Sequence, residues 1–156
     1  MIGLDAVSGK DSVMPRPRTS TVAAWSPDLV VSPTTAGVAL AATLARRIAV
    51  PVAFAEVGAD GRATTMREPL DGRRALLVND VVTTGAGLAA LAGVVQEAGA
   101  AVAGAAWFVT RGNVSFGDIL AAPTAAIGEM LLGAWEPAEC PLCASGALMT
   151  HALEIN

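Results

Sequence analysis

Tyrosine is absent from this chain, and its 156 residues hold only three phenylalanines and three tryptophans. No cluster of aromatics therefore offers a platform on which the bases of a single strand would stack. Lysine occurs once, at Lys10, which confines any lysine chemistry to the N-terminal end. One histidine, His151, and two cysteines, Cys140 and Cys143, fall short of the four ligands that a closed zinc site requires. No uninterrupted apolar run is long enough to span a bilayer. The net charge of −4 and a pI near 4.8 leave no broad basic footprint for nucleic acid. The opening residues, MIGLDAVSGKDS, lack a cationic start followed by an apolar segment, so secretion is not expected and a cytoplasmic setting is the expectation.

What the chain does have is apolar bulk. Hydrophobic residues make up 53% of it and charged residues 15%, the balance of one globular domain with a substantial core. Trp25, Trp107 and Trp135 are expected in that core or at an interface. Residues 1–27 lack periodicity and contain Pro15, Pro17 and Pro27, so they read as an irregular arm, with the core domain at 28–156.

The most informative stretch is RALLVNDVVTTGAG, residues 74–87. Its apolar run at 75–78 is too short for a helix and ends in Asn79 and Asp80, which reads as a buried strand delivering polar groups to a sheet edge. Thr83, Thr84, Gly85, Ala86 and Gly87 then form a turn of amides and hydroxyls suited to an anion. Leu88, Leu91 and Val95 follow at helical spacing, and the positive end of that helix faces the same spot. Gly99 is a natural stop. Asp80 is placed to accept hydrogen bonds from a sugar diol, as carboxylates do in other nucleotide folds.

A second strand, turn and helix occupies residues 28–48, with the turn Pro33-Thr34-Thr35-Ala36-Gly37 and Val38, Ala41, Leu44 and Ile48 on one helix face. A strand at 51–56 is followed by a polar excursion at 57–73, with no strand or helix expected in it. It carries Arg62 and Arg67, cations able to close over a pyrophosphate. An apolar strand at 101–109 ends in Thr110-Arg111-Gly112, a cation on the edge where ligands collect in open α/β sheets. Residues 124–130 supply a last strand. Strands alternating with helices give the fold class: α/β, three layers around a mainly parallel central sheet.

Residues 79–87 resemble the phosphoribosyl-pyrophosphate (PRPP) motif of type I phosphoribosyltransferases: a hydrophobic strand, two acids, two small apolar residues, then Thr-Thr-Gly. Here Asn79 replaces the first acid. Residues 32–37 are similar to that family's pyrophosphate loop, and Ser8-Gly9-Lys10-Asp11-Ser12 resembles the segment leading into the flap of orotate phosphoribosyltransferases. Only residues 13–27 separate it from the first core strand, so the arm implies a shortened hood over the base. The Cys-Pro-Leu-Cys tail at 140–143 resembles the C-terminus of a bacterial subgroup and carries no assigned chemistry.

The resemblance implies transfer of phosphoribose from PRPP to a nucleobase, orotate first, in pyrimidine biosynthesis. It implies Mg²⁺ held mainly through PRPP, with no protein metal site, and a homodimer in which the loop bearing Arg62 and Arg67 works in the partner's site. It assigns Thr34, Thr35, Ala36, Gly37, Asn79, Asp80 and residues 83–87 to PRPP. Arg62, Arg67 and Asp80 carry the catalytic roles, and Thr83, Arg111 and Lys10 the base. Two other readings stay open: a PRPP- or nucleotide-binding regulatory protein with little catalysis, and a transferase for a purine or another base.

Overall fold

The computed structural model describes residues 19–34, 37–58, 63–66, 69–111, 120–130 and 138–146. Lys10, Thr35, Ala36, Arg62, Arg67 and Trp135 lie outside the described residues, so the roles expected of them have no structural counterpart here. The elements in chain order are α1 (Thr19–Ala23), β1 (Leu29–Pro33), α2 (Val38–Ile48), β2 (Val52–Val57), β3 (Ala63–Met66), β4 (Arg74–Val82), α3 (Ala86–Glu97), β5 (Ala101–Arg111), β6 (Thr124–Met130) and α4 (Pro141–Ala144).

They build one six-stranded sheet in the order β3-β2-β1-β4-β5-β6. All neighbouring pairs are parallel except β2 and β3, which run antiparallel at one edge. The expected mainly parallel sheet is therefore present. Two expectations need correction. The excursion at 57–73 contains β3, which pairs Ala55 with Met66 and Glu56 with Thr65. Its Ala-Thr-Thr-Met sequence is too short for any periodicity to show, and pairing with the exposed edge of β2 supplies what local sequence does not. The arm at 1–27 contains α1, five residues whose order comes from packing Val22 under the sheet rather than from helix propensity. Strand β4 also runs beyond the apolar stretch, through Asn79 and Asp80 to Val82.

The sheet has a core on each face, because successive side chains of a strand point to opposite sides. Leu29, Val31, Ala75 and Leu77 face α3 and pack with its Leu88, Leu91 and Val95. Val30, Leu76 and Val78 face the other way and meet Ala41 and Ala45 of α2 and Val22 of α1. Both sides of β1 and β4 are fully covered, which explains their unbroken apolar runs. Each large aliphatic side chain so buried contributes about 1.5–3 kcal/mol. Trp25 closes the α1 side by lying flat over β5: a Cβ at Gly104 would overlap its ring.

At the amino edge of the sheet an electrostatic clasp joins the starts of β1 and β4. Arg73 Nε donates to Asp28 Oδ1 at 2.8 Å and its Nη2 to the Asp28 carbonyl at 2.6 Å. The backbone N–H of Arg74 donates to the same carboxylate at 3.1 Å, and the Arg74 guanidinium reaches the carbonyls of Ser26 and Trp25. The Arg73 hydrogen bond chiefly holds the Asp28 carboxyl below its ordinary range.

A depressed carboxyl pKa contributes stability above the unfolded-state value that disappears as pH falls through the lower, folded value. Both partners are about half exposed, which limits the effect to about 0.5–1 kcal/mol. Asp28→Asn should lower unfolding free energy by that amount at neutral pH. Urea denaturation repeated in acid, below the folded pKa, should show the difference from the parent protein vanish.

Candidate PRPP site

The sheet order reverses between β1 and β4. From β1 the chain crosses through α2 to β2 on one side, and from β4 it crosses through α3 to β5 on the other. The two turns leaving these neighbouring strands therefore diverge to opposite faces and leave a crevice between them, the place where open α/β sheets bind ligands. Both turns are the ones singled out in the sequence.

Each helix begins on a glycine. Gly37 precedes α2 with φ +77° and Gly85 precedes α3 with φ +81°, and neither helix start has a side-chain cap. Left-handed backbone is readily available only to glycine, and it turns the following N–H groups outward. The carbonyls of Gly37 and Gly85 accept the first helical bonds, from Ala41 at 2.8 Å and Ala89 at 2.9 Å. First-turn amides of both helices, apart from the Ala86 N–H, have no side-chain cap among the described residues and can meet an anion. Thr83 and Thr84 are exposed on the second turn, and Thr84 Oγ1 accepts from the Ala86 N–H at 3.4 Å.

The turns are locked to one another through Asn79. A Cβ on Gly37 would sit 3.0 Å from the Asn79 Cα and 3.0 Å from Ser32 Oγ, so only a glycine lets the first turn approach β4. Asn79 is itself fastened to its own strand end: its Oδ1 accepts from the Asp80 N–H at 3.0 Å and its Nδ2 donates to the Val81 carbonyl at 3.3 Å. Asp80 Oδ1 accepts from the Val81 N–H at 2.6 Å. That leaves the second carboxylate oxygen of Asp80 without a partner among the described residues. From Asn79 onward β4 changes from buried to accessible, with Asp80 exposed.

Asp80 and Gly37 line an open cleft of about 550 Å³ together with Val38, Val81 and Phe108. Phe108 is 52% exposed, and the sequence reading did not single it out. It lies in the apolar run of β5, where it resembles any core strand residue. Helix α2 packs on β1 and β4, and its Val38, Ala39, Leu40 and Ala42 line the same cleft as Phe108. Arg111 ends β5 one position beyond Thr110, which pairs with Val82 of β4. It is exposed at the same carboxyl edge as Asp80 but is not part of the cleft lining. Thr34 is exposed on the first turn, its N–H bonded to the Ala55 carbonyl. Of the expected site residues within the described ones, Thr34, Gly37, Asn79, Asp80, residues 83–87 and Arg111 thus share one edge of the sheet.

A second cavity, about 200 Å³, lies among Val22, Leu40, Leu44, Ala106, Trp107 and Ile127. Its lining, completed by Thr19, Thr43 and Arg47, holds none of the expected site residues, so the strand edge is the better candidate for chemistry. Among the described residues no three His, Cys, Asp or Glu side chains gather to hold a metal.

Residues 18–115 match the family described as phosphoribosyl transferase domain. The chain is 34% identical over 124 residues to an orotate phosphoribosyltransferase of Caldanaerobacter subterraneus subsp. tengcongensis, spanning 76% of this chain and 62% of the relative. It is 35% identical over 124 residues to the orotate phosphoribosyltransferase of Heliobacterium modesticaldum, at 77% and 62% coverage. The chain thus spans about three fifths of the length of these curated relatives. Among solved structures it resembles orotate phosphoribosyltransferase from Aeropyrum pernix, with TM-score 0.58, 25% identity, and 72% of this chain and 69% of that one aligned. Purine phosphoribosyltransferase from Pyrococcus horikoshii shares the fold, with TM-score 0.59 at 19% identity and coverage of 72% and 77%.

Gly37→Ala tests how the crevice is built. A methyl group in left-handed backbone, pressed against the Asn79 main chain, should destabilise the protein by about 1–3 kcal/mol and displace the first turn. Thermal unfolding should register the loss, whereas Gly87→Ala, where a Cβ meets nothing within 4 Å, should cost far less.

Proposed function

This chain belongs to the phosphoribosyl transferase domain family, and from that premise we propose that it transfers phosphoribose from PRPP to orotate, releasing pyrophosphate. The observation that carries the reading is the pair of glycine-started, uncapped helices at the ends of adjacent parallel strands, with Asp80 on the crevice between them. Two separate anion sites and one carboxylate match a ligand with phosphate at one end, pyrophosphate at the other and a diol in the middle.

In this reading the turn at 83–87 takes the 5′-phosphate, the turn at 34–37 takes the pyrophosphate, and the open oxygen of Asp80 accepts from the ribose hydroxyls. Arg62 and Arg67 neutralise the leaving pyrophosphate. When bound with PRPP, Mg²⁺ would add charge neutralisation on the same phosphates. As the bond to pyrophosphate lengthens, positive charge grows on the ribose, and the chain's task is placement and electrostatic support rather than nucleophilic attack. Arg111, and Lys10 and Thr83 with it, are assigned to the base, the guanidinium fork of Arg111 suiting a carboxylate. The enzyme would work as a homodimer in which the loop at 57–73 serves the partner's site.

One observation favours a second reading. Asn79 spends both side-chain ends on its own backbone and brings no charge where the family has an acid. A protein that binds PRPP with little turnover would tolerate that loss.

Titration calorimetry and pyrophosphate release, run together on three proteins, test these assignments. The parent protein should bind PRPP and, with orotate present, release pyrophosphate; binding without release would support the second reading. Asp80→Asn should lose PRPP binding while staying folded. Arg111→Ala should keep PRPP affinity and weaken orotate by roughly 1.5–3 kcal/mol, the worth of a charge-assisted hydrogen bond. An acceptor without a carboxylate would leave orotate ignored by all three.

The shared site has its own test. Arg67→Ala and Asp80→Asn subunits, each inactive alone, should regain part of the activity when mixed into one dimer, because one composite site then carries both native residues. Mixed dimers that form but stay inactive would rule the shared loop out.

A further inference from the structure

Cys140 and Cys143 have no part in the site above. They stand at the two ends of one helical turn: Cys140 caps α4 in extended backbone, Pro141 occupies the first helical position, and Cys143 follows three residues after the cap. Neither sulfur is bonded in a disulfide, and Cys143 is exposed and Cys140 partly so. The Cys143 N–H donates to Cys140 Sγ at 3.4 Å, and the turn is closed by the Ala144 N–H on the Cys140 carbonyl at 3.0 Å.

A turn of this kind brings residues three apart to a Cα separation of under about 7 Å, overlapping the range that a disulfide bridges. Proline at the first helical position fixes one backbone angle in place without removing a needed donor. The two sulfurs are thus held near each other before any oxidation, which favours an intrachain bond over one to another molecule. Among the described residues no third metal ligand joins them.

We propose that Cys140 and Cys143 form a reversible dithiol–disulfide pair, a modification site that exchanges with small-molecule disulfides. Cys140 attacks first. Its sulfur accepts the Cys143 N–H, and hydrogen bonding with Cys140 holds the Cys143 thiol above its ordinary range, so Cys143 keeps its proton. Having released its own proton to water, Cys140 bonds to one sulfur of the small disulfide and expels the other as a thiolate. Cys143 then gives its proton to that thiolate and attacks Cys140 Sγ. The protein disulfide forms, the mixed disulfide breaks, and a second small thiol leaves. Two protein thiols are oxidised as one small disulfide is reduced to two thiols, and excess small thiol reverses the sequence.

The pair is independent of phosphoribosyl transfer, and so is its test. The full chain is equilibrated in a series of reduced and oxidised glutathione mixtures, quenched in acid, alkylated and weighed intact. Both thiols should disappear together as the mixture becomes oxidising, with no retained glutathione and full recovery in reducing buffer. Cys143→Ser and Cys140→Ser should each retain the mixed disulfide that the parent chain resolves, and in the parent chain an early acid quench with peptide mapping should find the transient adduct on Cys140. Thiols that stay open to alkylation throughout, a lasting glutathione adduct on the parent chain, or disulfide-linked dimers would each overturn the proposal. An early adduct on Cys143 would overturn the assignment of Cys140 as the attacking sulfur.

Discussion

Everything at the carboxyl edge depends on one backbone approach, that of Gly37 to Asn79. A Cβ at 37 would meet main-chain atoms at 3.0 and 3.1 Å, and a main chain cannot swing aside as a side-chain tip can. The contact sets how near the first turn comes to β4, and so how wide the crevice at the reversal of strand order is. It also explains why the turns work as a pair: β1 and β4 are hydrogen-bonded neighbours, so their turns start from one shared level of the sheet.

The electrostatics of the edge are economical in charge. Among the described residues that line the cleft there is a single carboxylate, Asp80, and no cation. The amide dipoles at the two helix starts point one way whatever the pH. The chain's low lysine content fits this arrangement. Amides held by helix geometry need no reorganisation when charge develops nearby, which is the condition under which fixed dipoles help a transition state most.

Much of this was legible in the sequence because it rests on local rules. The apolar runs of β1, β4 and β5 could be read because their central residues are covered on both faces, and the glycine turns could be read because left-handed backbone restricts residue choice so sharply. Gly99 ends α3 with φ +85°, as its position implied. What escaped was set by distant partners. β3 exists because β2 has an edge to offer, and α1 because Val22 and Trp25 have a sheet surface to cover. Phe108 escaped for the converse reason: an apolar residue in a strand reads as core, and only the tertiary packing shows that this one is half exposed beside the cleft.

The clasp of Asp28 with Arg73 and Arg74 lies at the far end of the same two strands and has a metric consequence. Strands rise about 3.3 Å per residue, and β1 and β4 pair Leu29 with Ala75, Val30 with Leu76 and Val31 with Leu77. A slip by one position would exchange the two core faces of β1 and carry Gly37 past Asn79 by more than the whole clearance between them. Fastening the amino ends therefore acts as an alignment stop, calibrating a crevice whose own residues lie several positions farther along both strands.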